Sequence, residues 1–195
     1  MSLSTMRHVW AAMVSGLVFG MGASPAPAQC EWDKLISDDG ESGDKFGASV
    51  SISGEYAIVG ARFADAEQFG PVNAGAAYVF KRDGGSWSLE QRLAADDDAY
   101  DDRFGGSVSI SGDYAIVGVE FDDDAGLTSG SAYIFRREGD TWVKDKKLTA
   151  EGHAAEFDHF GASVAIDGEY AVVGAPYDDD TENNSGSVFV FKRTG

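Results

Sequence analysis

Phe160-Gly-Ala-Ser-Val-Ala-Ile-Asp-Gly-Glu-Tyr-Ala-Val-Val-Gly-Ala-Pro176 is a sentence that this chain writes three times with small changes. Residues 46–61 read FGASVSISGEYAIVGA and residues 104–119 read FGGSVSISGDYAIVGV. The pairs Phe46-Gly47, Phe104-Gly105 and Phe160-Gly161 stand 58 and 56 residues apart. That period is too long for helical solenoid repeats and close to the larger four-stranded repeats of propeller blades.

Each repeat reads as four strands. Strand a, such as 47–52, alternates Ser with Val and Ile at period two, so one of its faces is apolar. Strand b, such as 56–60, is a continuous apolar run with β-branched residues, as a strand covered on both faces requires. Strand c (76–81, 131–136 and 187–192) is aromatic and β-branched and ends in cations, and strand d (87–93 and 142–148) runs from a Trp to a Leu and carries the charge of a solvent-facing edge. Short glycine turns join a to b and c to d. No helical periodicity of useful length follows the N-terminal segment, so the expected class is all-β: a β-propeller of four-stranded antiparallel blades, three repeats per chain, over about 46–93, 104–148 and 160–193. The stretch 31–36, with Trp32 and Leu35, resembles a strand d whose own repeat is absent, and is expected to complete a blade.

Residues 1–28 read as a secretion signal: one cation at Arg7, an apolar run from Val9 to Met21, and Ala26-Pro-Ala28 before the cut. The run is too short to span a bilayer. The expected product is 29–195, one domain, exported to the periplasm, cell surface or medium. Cys30 is the only cysteine, so the fold has no internal disulfide, and Gln29 and Pro27 before it depart from a lipidation signal. With 33 acids against 15 cations the chain carries a formal charge of −18, which disfavours nucleic acid and anionic lipid as partners.

Phe-Gly followed a dozen residues later by Gly174-Ala175-Pro176 resembles the FG-GAP repeat of integrin α-subunit propellers and of many bacterial surface proteins. The first two copies read Gly60-Ala-Arg62 and Gly118-Val-Glu120 instead. The resemblance implies blades around an axis, with the Phe packed between blades and the Gly allowing close approach. It also implies, in some members, a calcium loop between strands a and b. Here that place holds only a Ser-Gly-Glu type of turn, too short to wrap a cation that takes 6–8 oxygens.

Up-and-down strands put the b–c and d–a loops at one end of every blade. These loops hold about two thirds of the chain's acids, so one face should be strongly negative. Its runs supply hard oxygen ligands, and the candidate metal residues are Asp96, Asp98, Asp122, Asp124, Asp178 and Asp180, with Ca2+ as the cation. His153 and His159 lack repeat-matched partners for a metal triad, and no nucleophile-elbow pattern surrounds any Ser. Trp32, Trp87 and Trp142 recur at the repeat period and read as blade packing.

Three blades do not fill a ring, which takes four to eight. Two chains would make six, each giving its N-terminal strand to the other's last blade; part of a larger propeller is the other arrangement. The functional expectation is a non-enzymatic, exported binding or adhesion module with a protein or glycan ligand. A structural scaffold without a small ligand is the second reading, and a carboxylate-based hydrolase the third.

Overall fold

The computed structural model describes residues 33–66, 70–180 and 182–194. The secretion-signal expectation falls on 1–28, outside the described residues. The described residues form eleven strands in three antiparallel sheets, all in one unit. The first sheet is β1 (Ser49–Ser53), β2 (Tyr56–Ala61), β3 (Ala76–Asp83) and β4 (Ser86–Leu93), in that spatial order. The second repeats it with β5 (Ser107–Ser111), β6 (Tyr114–Val119), β7 (Ser131–Glu138) and β8 (Thr141–Leu148). The third has three strands: β9 (Ser163–Asp167), β10 (Tyr170–Ala175) and β11 (Ser187–Lys192).

Two-residue loops set the registers. Ser53 pairs with Tyr56, Ser111 with Tyr114 and Asp167 with Tyr170, each across a glycine with positive φ. The same small bulge interrupts both outer pairs, between Val79 and Phe80 and between Ile134 and Phe135.

Two apolar seams join the sheets. Ile58, Ala77 and Val79 of the first sheet pack with Val108, Ile110 and Val117 of the second. Ile116, Ala132 and Leu148 of the second pack with Phe160, Ala171 and Val173 of the third. Phe104 and Phe160 are fully buried, each edge-on to an aromatic of its own sheet, Phe135 at 6.1 Å and Phe191 at 6.1 Å. Trp142 is 2% exposed in the first seam, so the expectation of blade packing holds for it.

Burial follows neighbours rather than sequence. β2 and β6 are buried at five consecutive positions, covered on both faces as their apolar runs require. β10 has the same kind of sequence but alternates, because only one face of the third sheet is covered.

The expected strand over 31–36 differs from what forms. Residues 31 and 32 lie outside the described residues, and 33–36 make no strand. Leu35 instead packs with Phe46, Tyr78 and Phe80, on the face of the first sheet that corresponds to the places of Leu93 and Leu148 on later sheets. The fourth strand of a sheet pairs with the third, as β4 does with β3 and β8 with β7, and among the described residues no such strand precedes 33–36.

The seam requires glycine. A Cβ on Gly118 would fall on the carbonyl of Gly161 and on Ser107, whereas one on Gly174, the same position in the third sheet, would meet only the Ser163 side chain. Gly118→Ala is therefore expected to destabilise the fold by about 3 kcal/mol, as read by denaturant unfolding.

Candidate functional site: the acidic loop face

The loop before each Phe-Gly pair is built the same way. Asp44, Asp102 and Asp158 each accept a hydrogen bond from the backbone N–H three residues earlier, at Glu41, Ala99 and Ala155, all at 2.7 Å. The residue between Asp and Phe is left-handed each time: Lys45 at φ 58°, Arg103 at 61° and His159 at 57°. The carboxylate closes the turn and the left-handed residue redirects the chain, so the Phe enters the seam. Asp102 and Asp158 are buried, at 6% and 2% exposure.

The loops after β6 and β10 also share a geometry. Asp122 and Asp178 are buried, at 4% and 1% exposure, and each takes the backbone N–H two residues on, Asp124 and Asp180, through Oδ1 at 3.0 Å. The first sheet has Ala64 at this position. The triplets Asp122-Asp123-Asp124 and Asp178-Asp179-Asp180 are thus one buried anchor and two solvent-facing carboxylates, rather than three equal ligands.

In the second sheet a cation completes the anchor. The other oxygen of Asp122 accepts from the Ser131 hydroxyl and lies 2.7 Å from the Lys147 ammonium. Lys147 also reaches Asp124 at 2.7 Å and Asp97 at 2.9 Å, and Asp97 accepts from the Tyr133 hydroxyl. The first sheet holds the simpler version, with Tyr78 donating to Asp39 at 2.8 Å and Arg92 paired to Asp39 at 3.2 Å. In the third sheet Phe189 and Gly152 stand where the Tyr and Asp would be, and Asp178 Oδ2 is buried with no hydrogen-bond partner among the described residues.

The six residues expected to bind metal are therefore dispersed. Asp96 pairs with Lys144, Asp98 is half-buried, Asp122 and Asp124 share Lys147, and Asp180 pairs with His153 at 2.7 Å. Among the described residues no three His, Cys, Asp or Glu groups converge as a metal site would. Nearer the seams, cations and aromatics alternate. Arg103 lies over Phe63 and Phe121, 5.1 and 4.1 Å from their centroids, and His159 contacts Phe121 and Tyr177.

The field of the face shows in its protonation. Burial works against the charge on Lys147, but hydrogen bonds to Asp122, Asp124, Tyr133 and Asp97 outweigh it and raise its pKa. Burial and the Asp97 carboxylate raise the Tyr133 phenol. Burial, reinforced by Asp122 and Asp123, pushes Asp102 up to about 6 against the hydrogen bond from Ala99. Asp158 is raised by burial and by Asp178, Asp179 and Asp180.

Sequence reading placed Asp102 and Asp158 among the loop acids without a role. Their signal was the Asp-x-Phe-Gly spacing, present in all three repeats. Because the folded pKa of Asp102 is raised, the folded state holds a proton that the unfolded chain has released, and stability falls as pH rises from about 4 to about 6. Asp102→Asn keeps the acceptor for Ala99 and removes the charge. It is expected to stabilise the protein by roughly 1–3 kcal/mol near pH 7 and by little near pH 4, measured as paired thermal melts.

Among the described residues no helix is long and apolar enough to cross a membrane. A comparison with curated proteins gave no match. Among solved structures, that of the computationally designed Ika4 protein is similar at 12% identity and a TM-score of 0.44, covering 83% of this chain and 99% of that one. The FG-GAP repeat family matches at 31–80, 87–135 and 142–191, three consecutive units that end in β3, β7 and β11. The repeated Phe-Gly corner, the glycine seam and these three matches make the chain a member of the FG-GAP repeat family.

Proposed function

We infer that this protein is an exported, non-enzymatic β-propeller module that binds a protein or glycan ligand through the acidic loop face. The observation that carries the reading is the shared geometry of the two Asp triplets. In each, a buried Asp fixes the loop and leaves two carboxylates pointing outward, Asp123 with Asp124 and Asp179 with Asp180, all exposed. Rigid, outward carboxylates suit a cationic or cation-bridged ligand, and their fixed loops lower the ordering cost of binding.

Calcium is part of this proposal, held at each triplet separately by the carboxylate oxygens that the Lys147 and His153 contacts leave open, together with ligand oxygens, with an affinity of about 10⁻⁴ to 10⁻³ M. A scaffold role is the second reading, favoured by the Tyr133–Asp97–Lys147–Asp122 cluster, which spends its charges on internal contacts.

The two readings separate in a binding screen against immobilised glycans and matrix proteins, run in millimolar calcium and in chelator. The module reading expects a ligand whose binding is lost in a variant carrying Asp123→Asn, Asp124→Asn, Asp179→Asn and Asp180→Asn. It also expects calcium to raise the unfolding temperature. Silence across the screen, with no shift in calcium, supports the scaffold instead.

A further inference from the structure

The seam between neighbouring sheets is made twice from corresponding residues, and each end of the three-sheet stack carries one uncovered half of it. The half on the trailing side is Ile58, Ala77 and Val79 in the first sheet, all 0% exposed. Its counterparts Val188 and Val190 in the third sheet are 66% and 65% exposed. The half on the leading side is Val108 and Ile110 in the second sheet, 8% and 4% exposed. Its counterparts Val50 and Ile52 in the first sheet are 69% and 65% exposed.

The polar parts of the seam are divided in the same way. Gly75 and Gly130 bridge to Phe104 and Phe160 of the next sheet, and Ser49 and Ser107 donate to the carbonyls of Gly105 and Gly161 at 2.8 and 2.7 Å. The third sheet offers the same seat, an open hollow lined by Ser163, Gly174, Pro176, Gly186 and Val188. At the other end, a Cβ on Gly47 would meet nothing within 4 Å, whereas one on Gly105 or Gly161 would fall on the preceding sheet's backbone.

We propose that a second copy of this chain docks head to tail, placing its Phe46-Gly47 corner in the Gly174–Gly186 seat and its Val50 and Ile52 over Val188 and Val190. The same contact made in return closes the pair into six sheets. The occupant follows from continuity with the two existing seams, because the surface that fits the open seat is displayed by this same chain. Such a contact is heterologous, and two copies satisfy both ends only if the ring closes.

The second copy also supplies what the third sheet lacks. Lys34 precedes Leu35 as Lys147 precedes Leu148, so its ammonium arrives at the buried, unpartnered Asp178 Oδ2 as Lys147 does at Asp122. Lys45 arrives over Tyr177, which is 48% exposed, as Arg103 lies over Phe63. The inference is independent of the ligand proposed above.

Light scattering on the purified protein at tens of micromolar tests it, with a mass of two chains expected. Val50→Asp and Val188→Lys, both at exposed positions, are each expected to weaken the pair by about 100-fold while leaving the far-UV circular dichroism unchanged. An equimolar mixture of the two variants can form one wild-type seam and one Asp–Lys seam, and is expected to recover the dimer. A mass of one chain for the wild type, a mass that keeps growing with concentration, or a dimer indifferent to either substitution would each overturn the proposal.

Discussion

The closeness of the sheets at the glycine seam is the constraint on which the rest of the structure depends. The carbonyl of Gly105 rests against Gly60, and that of Gly161 against Gly118, leaving no room for a methyl group. That approach lets Ser49 and Ser107 reach across as donors, and lets Gly75 and Gly130 bridge to the Phe of the next sheet. Beside that close approach the first seam takes small and β-branched side chains such as Ala77, Val79, Val108 and Val117, together with the rings of Phe104 and Trp142. The Phe-Gly corner serves both demands at once, the ring filling the core and the glycine admitting the neighbour.

Getting the chain into that corner has an electrostatic cost. The turn before each Phe is closed by an Asp, and in the second and third sheets that Asp is buried beside the anchor of the next loop. Burial, with repulsion from the carboxylates of the adjacent loop added to it, makes Asp102 and Asp158 hold their protons more tightly than a free carboxyl. In the second sheet Lys147, which touches three carboxylates at once, offsets a small part of this. The acidic face is thus partly a by-product of how the seam is made, and its outermost carboxylates are what remains for a ligand.

Most of the fold was legible because the repeat displays it. Alternation in residues 49–53, the continuous apolar run 56–61 and the glycine turns between them specify strands and registers locally, and each recurs. The expected strand over 31–36 did not form across 33–36, since a strand depends on an edge that the local sequence does not contain. The face was legible in charge but not in detail. Asp122, Asp123 and Asp124 look alike in sequence, and the partners that the buried one finds, a Lys in β8 and a Ser in β7, lie outside its own loop. The cation beside Asp122 comes from 25 residues downstream, beyond any local pattern. Correlated losses were the available clue: where Phe189 replaces the Tyr, Gly152 replaces the Asp.

The way strand ends are shared has a consequence for how the molecule assembles in time. Strands within a sheet are neighbours in sequence order, so their pairing is local and should be fast. Yet Leu93, the last residue of the first sheet, packs in the core with Phe104, and Leu148 packs with Phe160. The end of each fourth strand is thus held both by its own sheet and by the one that follows. Folding then propagates along the chain as a series of coupled steps, each sheet locking the one before it.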